Sequence, residues 1–375
     1  MYDQIRNDTL FGMLYAVVSA LFLAACCYLL FRQGNAFARD VTPPVRLRRW
    51  TAAYFAATAV CHLWYMQIFF LTSAEDIMMT DLIGGLLDSV LAVPLVICVM
   101  LNMLQDRRRP LWPIPLMIAP FVVGEVYSIA TLSYAVIPML HVYLLLLSIC
   151  IAIFMFRATR QYGRWLRDNY ADLEHKEVWQ SLVVLALMLL LFVFYTFLGN
   201  VTLFLYAYQL FDIVFLGYLL WRVETLSDLS VPVNDVEEEA DVTVDVEDKD
   251  LPLSIRNHIG VLLQQHCIDK QLYLQHDLNI IQLAKAIGTN RFYLSQYFSC
   301  QGTTYNEYIN HLRIDFFISL YHKAVATHRH YTAHQLAIES GFRSYNTFMR
   351  VFKQRMGQNV RKWMDETGQN CSNQQ

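Results

Sequence analysis

Arg350 carries the most directed chemistry in this sequence. It lies in the stretch YNTFMRVFKQRMG, residues 345–357, where Phe348, Val351 and Phe352 recur at helical spacing. That spacing leaves Asn346, Thr347, Met349, Arg350 and Lys353 on the other face of the same helix. A guanidinium offers a planar fork of donors that matches two acceptors at once, as on a guanine edge or a phosphate. A polar, basic strip on one helix is what a DNA major groove admits. The phrase has an upstream copy: QLAKAIGTNRFYLSQYFSCQG, residues 282–302, repeats the QLA, the turn glycine and a later phenylalanine of QLAIESGFRSYNTF. There Leu294 and Phe298 point inward and leave Phe292, Ser295, Gln296 and Ser299 outward.

These faces need elements to hold them. Leu336, Ala337 and Ile338 begin a short helix that Gly341 closes, and Ser344 is placed to cap the helix carrying Arg350. Gly288 plays the part of Gly341 in the first copy. The residues between the copies, Thr303 to about Ala326, form one helical run. A helix of about 20 residues is roughly 30 Å long, close to the roughly 34 Å between successive major grooves on one side of DNA. The expectation is two helix-turn-helix units, about 278–302 and 331–357, joined by a long helix.

The pattern A-x-x-x-G-F-x-S-x-x-x-F-x-R-x-F-K-x-x-x-G, Ala337 to Gly357, resembles the signature of AraC-type transcription regulators, over about Leu253 to Glu366. Tyr308 and Arg313 in YINHLR fit the same family, whereas Phe317 stands where the family usually has alanine. The resemblance implies that Phe292, Ser295, Gln296, Asn346, Thr347 and Arg350 read bases. Arg291, Arg343, Ser344 and Lys353 would hold phosphate and fix the register. Double-stranded DNA is the implied partner, with RNA polymerase and a second copy of the chain as further candidates.

Composition places the rest elsewhere. Across 375 residues 56% are apolar, too many for a soluble regulator. Apolar runs at Leu10–Phe31, Trp50–Leu71, Asp81–Leu104, Leu111–Tyr134, Ala135–Phe156, Val178–Leu198 and Val201–Trp221 each approach the roughly 20 residues that span a bilayer. The first run is expected to remain as an anchor, since Arg6 is balanced by Asp3 and Asp8. Arginine and lysine gather after the first, third and fifth runs and are missing from the loops between. Basic loops stay in the cytoplasm, so the start of the chain is expected outside a bacterial inner membrane and residues 251–375 inside. The expected fold is all-α, a seven-helix bundle over residues 1–222 followed by the helix-turn-helix domain.

The spans carry ionisable groups: His62, Asp81, Asp88, Glu125, His141 and Asp212. Charge at membrane depth is costly and turns toward a partner or a cavity, so these six are the candidate sensing residues for a signal that the sequence leaves unspecified. Interhelical bonding that holds the bundle together is the plainer role for each. No lysine lies in a span, which excludes a retinal Schiff base. No Cys/His ligand spacing, nucleophile elbow or phosphate loop occurs, so no metal, cofactor or enzymatic activity is expected.

Between the two parts, Glu224 to Asp250 holds eleven acidic residues against one lysine and reads as a disordered tether, assigned to 223–250. From Leu251 on the sign reverses, with thirteen Lys and Arg against seven acids, the electrostatic footprint of phosphate binding. These features point to a membrane-anchored regulator of transcription. The alternative is a membrane receptor or transporter whose tail is a protein-contact module.

Overall fold

The computed structural model describes residues 8–32, 35–38, 41–181, 183–184, 187, 202–229, 251–327 and 331–372. Among these the chain is helical, with no strand and a single isolated bridge between Tyr170 and Asn279. It divides into two compact units, Met1–Tyr162 with Val178–Val231, and Gly163–Glu177 with Pro232–Gln375.

The first unit contains α1 (Thr9–Phe31), α2 (Val45–Tyr65), α3 (Ala74–Met103), α4 (Pro113–Thr131), most of α5 (Ile137–Asn169) and α6 (Thr202–Thr225). Asp8 caps α1 by accepting from Phe11 N at 3.1 Å, and Pro113 starts α4, where its missing N–H costs nothing. Five of the helices, α1, α3, α4, α5 and α6, are long and apolar enough to cross a membrane. This is a membrane protein.

Several boundaries differ from the sequence reading. α2 begins at Val45, so Arg46, Arg48 and Arg49 form its first turn rather than a loop, and it is not among the five. α3 begins at Ala74, which leaves Thr72 and Ser73 of the expected outer loop. A π turn at Asp88–Ala92 interrupts it just before Pro94, whose ring cannot sit in a regular α ladder. α5 runs beyond Phe156 to Asn169 and carries Arg157, Arg160, Arg164 and Arg167. These arginines fall at spacings of three and four, so one helix face takes them all. The expected sixth span lies largely outside the described residues, as do residues 230–250 of the expected tether. Glu224, read as part of that tether, belongs instead to the last turn of α6. It is fully buried, with Arg48 Nε 3.1 Å away and Tyr28 Oη donating to it at 3.4 Å.

The second unit contains α7 (Leu253–Leu263), α8 (Ile280–Ile287), α9 (Arg291–Cys300), α10 (Tyr305–Ala326), α11 (Ala333–Glu339), α12 (Tyr345–Met356) and α13 (Val360–Ser372). It has two apolar cores. Ile259, Leu263, Leu283, Leu294, Phe298 and Ile309 are among the residues of one, and Phe317, Leu336, Phe342, Phe348, Phe352 and Trp363 are among those of the other. α10 belongs to both, burying Tyr305 and Ile309 in the first and Ile314 and Phe317 in the second. Gly163–Glu177, expected within the membrane part, groups here, and its Ala171 lies in the first core.

Candidate nucleic-acid interface

Each copy of the repeated phrase folds as a short helix, a glycine turn and a second helix. Asn279 caps α8 and Thr332 caps α11, each in a reciprocal capping box with the glutamine three residues on, Gln282 and Gln335. Gly288 and Gly341 follow with φ of 76° and 91°, a left-handed conformation that other residues rarely adopt. Gly341 is doubly constrained, since a Cβ there would lie 2.8 Å from Leu274 Cα. Asn290 then caps α9 and Ser344 caps α12, with Ser344 Oγ accepting from Thr347 N at 3.3 Å. The two turns are therefore set by local chemistry.

The faces they present follow the sequence reading. Leu294, Phe298, Phe348 and Phe352 are buried; Phe292 and Ser295 on α9 are exposed and Gln296 is half-buried. On α12, Asn346, Met349, Arg350 and Lys353 are exposed and Thr347 is half-buried. Ser344 Oγ also donates to Thr347 Oγ1 at 3.2 Å, so it is committed to the start of the helix.

Three of the cations have partners within the unit. Arg291 Nε donates to Asn169 Oδ1 at 3.0 Å, Arg343 Nη1 lies 3.3 Å from Asp277 Oδ1, and Arg350 Nη1 lies 3.8 Å from Glu177 Oε1. Lys176 is buried beside them, 3.9 Å from Asp277 and over the Tyr170 ring. Burial pulls its ammonium below the usual lysine range, while Asp172 and Asp277 act the other way. Burial also pushes the Tyr170 phenol up to about 12. The sequence reading missed Asn169, Lys176, Glu177 and Asp277, because no local pattern ties them to partners so far along the chain.

In the first unit, the structure brings some of the candidate sensing residues together. His62 Nε2 lies 3.8 Å from Asp212 Oδ2, its Nδ1 is 3.4 Å from Ser19 Oγ, and its ring stacks on Tyr15 at 4.7 Å. Tyr65 Oη donates to Asp88 at 3.1 Å, and Tyr134 Oη donates to Asp81 at 3.0 Å. Glu125 is buried on α4 and His141 is half-buried on α5. Tyr15 and Ser19 were not anticipated, although their spacing of four puts both on one face of α1. Among the described residues no group of three His, Cys, Asp or Glu side chains stands close enough to hold a metal ion. The chain matches no protein-family model, no curated protein and no solved structure.

Proposed function

We propose that the chain is a membrane-anchored, sequence-specific DNA-binding regulator of transcription. In this reading the two helix pairs are helix-turn-helix units of AraC type, α9 and α12 are the recognition helices, and α10 is the rod between them. The observation that carries it is the repeat itself: two capped helix–glycine–helix units in which the second helix keeps an exposed polar face, joined by a helix of 22 residues. At about 1.5 Å per residue that rod is roughly 33 Å long, near the groove repeat of DNA. Base reading falls to Phe292, Ser295, Gln296, Asn346, Thr347 and Arg350, and phosphate holding to Arg291, Arg343 and Lys353.

The membrane unit supplies the signal. It is read as a seven-span bundle of a bacterial inner membrane with the recognition helices on the cytoplasmic side. The cluster around His62, Asp88 and Asp212 is its sensing core. A cue that changes this core alters presentation of the DNA-binding unit, and a second copy and RNA polymerase are its expected partners at a promoter.

Genome-wide crosslinking of the tagged, intact chain to DNA tests the reading, with Arg350→Ala alongside and the crosslinked species sized on a gel. Sharp peaks carried by full-length protein and lost in Arg350→Ala are expected. Regulation that persists without Arg350, in a chain that still inserts, supports the rival reading of a receptor or transporter with a protein-contact tail. That rival draws on the protein partners that Arg291, Arg343 and Arg350 already have.

A further inference from the structure

One short segment touches both proposed recognition helices, and it does so at their arginines. Asn169 accepts from Arg291, the first residue of α9, at 3.0 Å. Eight residues on, the Glu177 carboxylate lies 3.8 Å from Arg350 on α12. Between these ends the backbone is fastened. Ala171 N donates to Leu278 O at 3.3 Å, and Asn306 Nδ2 donates to Tyr170 O at 3.0 Å and to Ala171 O at 2.7 Å. Asn310 Nδ2 adds a bond to Ala171 O at 3.2 Å. Ala171 itself is 1% exposed.

We propose that Asn169–Glu177 is an intrachain occupant of the DNA face, which holds Arg291 and Arg350 in the docked state and competes with DNA for them. The inference rests on the DNA-binding reading above. A guanidinium already facing a carboxylate has less to offer a guanine edge or a phosphate, and the carboxylate repels phosphate within a screening length of about 10 Å. The Glu177 end of the segment is its exchangeable part, whereas Asn169 is 3% exposed. The Arg350 and Glu177 side chains are 57% and 35% exposed, so water and salt reach the pair and its hold is weak. The rest is largely buried and bonded, so it keeps its place when that end lets go. Asn169 is also the last residue of α5, which runs unbroken from Ile137. The segment therefore continues directly in the chain from α5, and its contacts to the arginines are a hydrogen bond at Arg291 and an ion pair at Arg350.

The test uses the full chain in zwitterionic nanodiscs and a short fluorescent DNA duplex of mixed sequence at low salt. Wild type is compared with Glu177→Gln, the double variant Asn169→Ala/Glu177→Gln, Arg350→Ala, and Glu366→Gln. The last removes a carboxylate that pairs with Lys362 within α13. The double variant is expected to bind about three- to tenfold tighter, the effect of one exposed ion pair and one hydrogen bond. Glu177→Gln alone accounts for part of the gain, and Glu366→Gln stays near wild type. Amide exchange at Ala171 that matches wild type shows that the variants keep the docked backbone. Equal gains from Glu177→Gln and Glu366→Gln reduce the effect to net charge and overturn the proposal. An absent gain, with Arg350→Ala still weaker than wild type, overturns it and leaves the DNA-binding reading standing. If wild type and Arg350→Ala bind the duplex alike, the DNA-binding reading fails and this inference fails with it.

Discussion

Arg313 is 1% exposed, and its guanidinium is spent on main-chain carbonyls. Nε donates to Tyr273 O at 2.8 Å, Nη2 donates to Gln275 O at 2.7 Å, and the group stands 5.7 Å from the Phe342 ring centre. Tyr273 belongs to the first core and Phe342 to the second, so one side chain ties the two cores where they meet on α10. Burial draws its pKa below the usual arginine range, yet arginine keeps its proton in proteins, and a buried charge needs these acceptors. Arg313→Met retains the length and the apolar stem but leaves the carbonyl of buried Tyr273 without a donor and removes the bonds to the exposed Gln275 and His276. The expected loss is about 1–3 kcal/mol, the cost of one unpaired buried group. Hydrogen exchange on the membrane-embedded chain reads it as faster exchange in α10 and in the turn at Leu272–Leu274. Arg313→Lys, with one compact donor head in place of a fork, falls between.

At the scale of elements, the second unit depends on α10 serving two cores at once. Phe317, where the resemblance calls for alanine, is buried completely, with ring centres of Phe348 at 4.5 Å, Phe352 at 5.7 Å and Trp363 at 6.4 Å. Phe317→Ala opens a cavity among three aromatic rings, and a large-to-small change of this kind costs about 3–5 kcal/mol. The first core shares none of these rings, so exchange is expected to rise across α11–α13 well before it rises across α8 and α9. A uniform rise across the unit would show that the two cores unfold as one. Much of this architecture was legible in local sequence. The glycine closures at 288 and 341, the Ser344 cap and the inward phenylalanines follow from rules that act over a few residues. What escaped depends on partners remote in the chain. Glu224 reads as solvated acid among other acids, and only Arg48 explains its burial. Asn169 and Glu177 carry no periodicity or motif, and their meaning comes from Arg291 and Arg350. Charge read along the chain also misplaced the start of α2 and the end of α5, because arginines at helical spacing can line a helix as readily as fill a loop.

For the whole molecule, the parity of membrane crossings decides whether the proposed recognition helices can meet DNA. Among the described residues five helices are long and apolar enough to cross. Two more segments bear on the count: α2 with its continuation Met66–Phe69, and residues 178–198. If both cross or neither does, the count is odd and the two ends of the chain lie on opposite sides. If one crosses alone, the ends share a side. The arginines argue that both cross: Arg157, Arg160, Arg164, Arg167 and Lys176 precede residues 178–198 and the uncharged Gly199–Asn200 follows them, and the same contrast holds around α2. Arg46, Arg48 and Arg49 at the start of α2 and Arg107–Arg109 after α3 all sit in basic clusters, whereas Thr72–Ser73 between them has no charge. Holding both clusters in the cytoplasm requires two crossings between them, and an arginine at the centre of a membrane helix costs about 2.5–3.5 kcal/mol on insertion scales. Reporter fusions that are active only outside the cytoplasm are therefore expected to be active after Ser73 and inactive after Arg108 and after Gln375. Activity after Gln375 would put the recognition helices on the side away from DNA and would sink the regulator reading, whatever the duplex-binding measurements gave. Activity after Arg108 together with silence after Ser73 would keep α2 and α3 as membrane crossings and reverse the orientation, leaving the basic clusters without the cytoplasmic placement from which the assignment was argued.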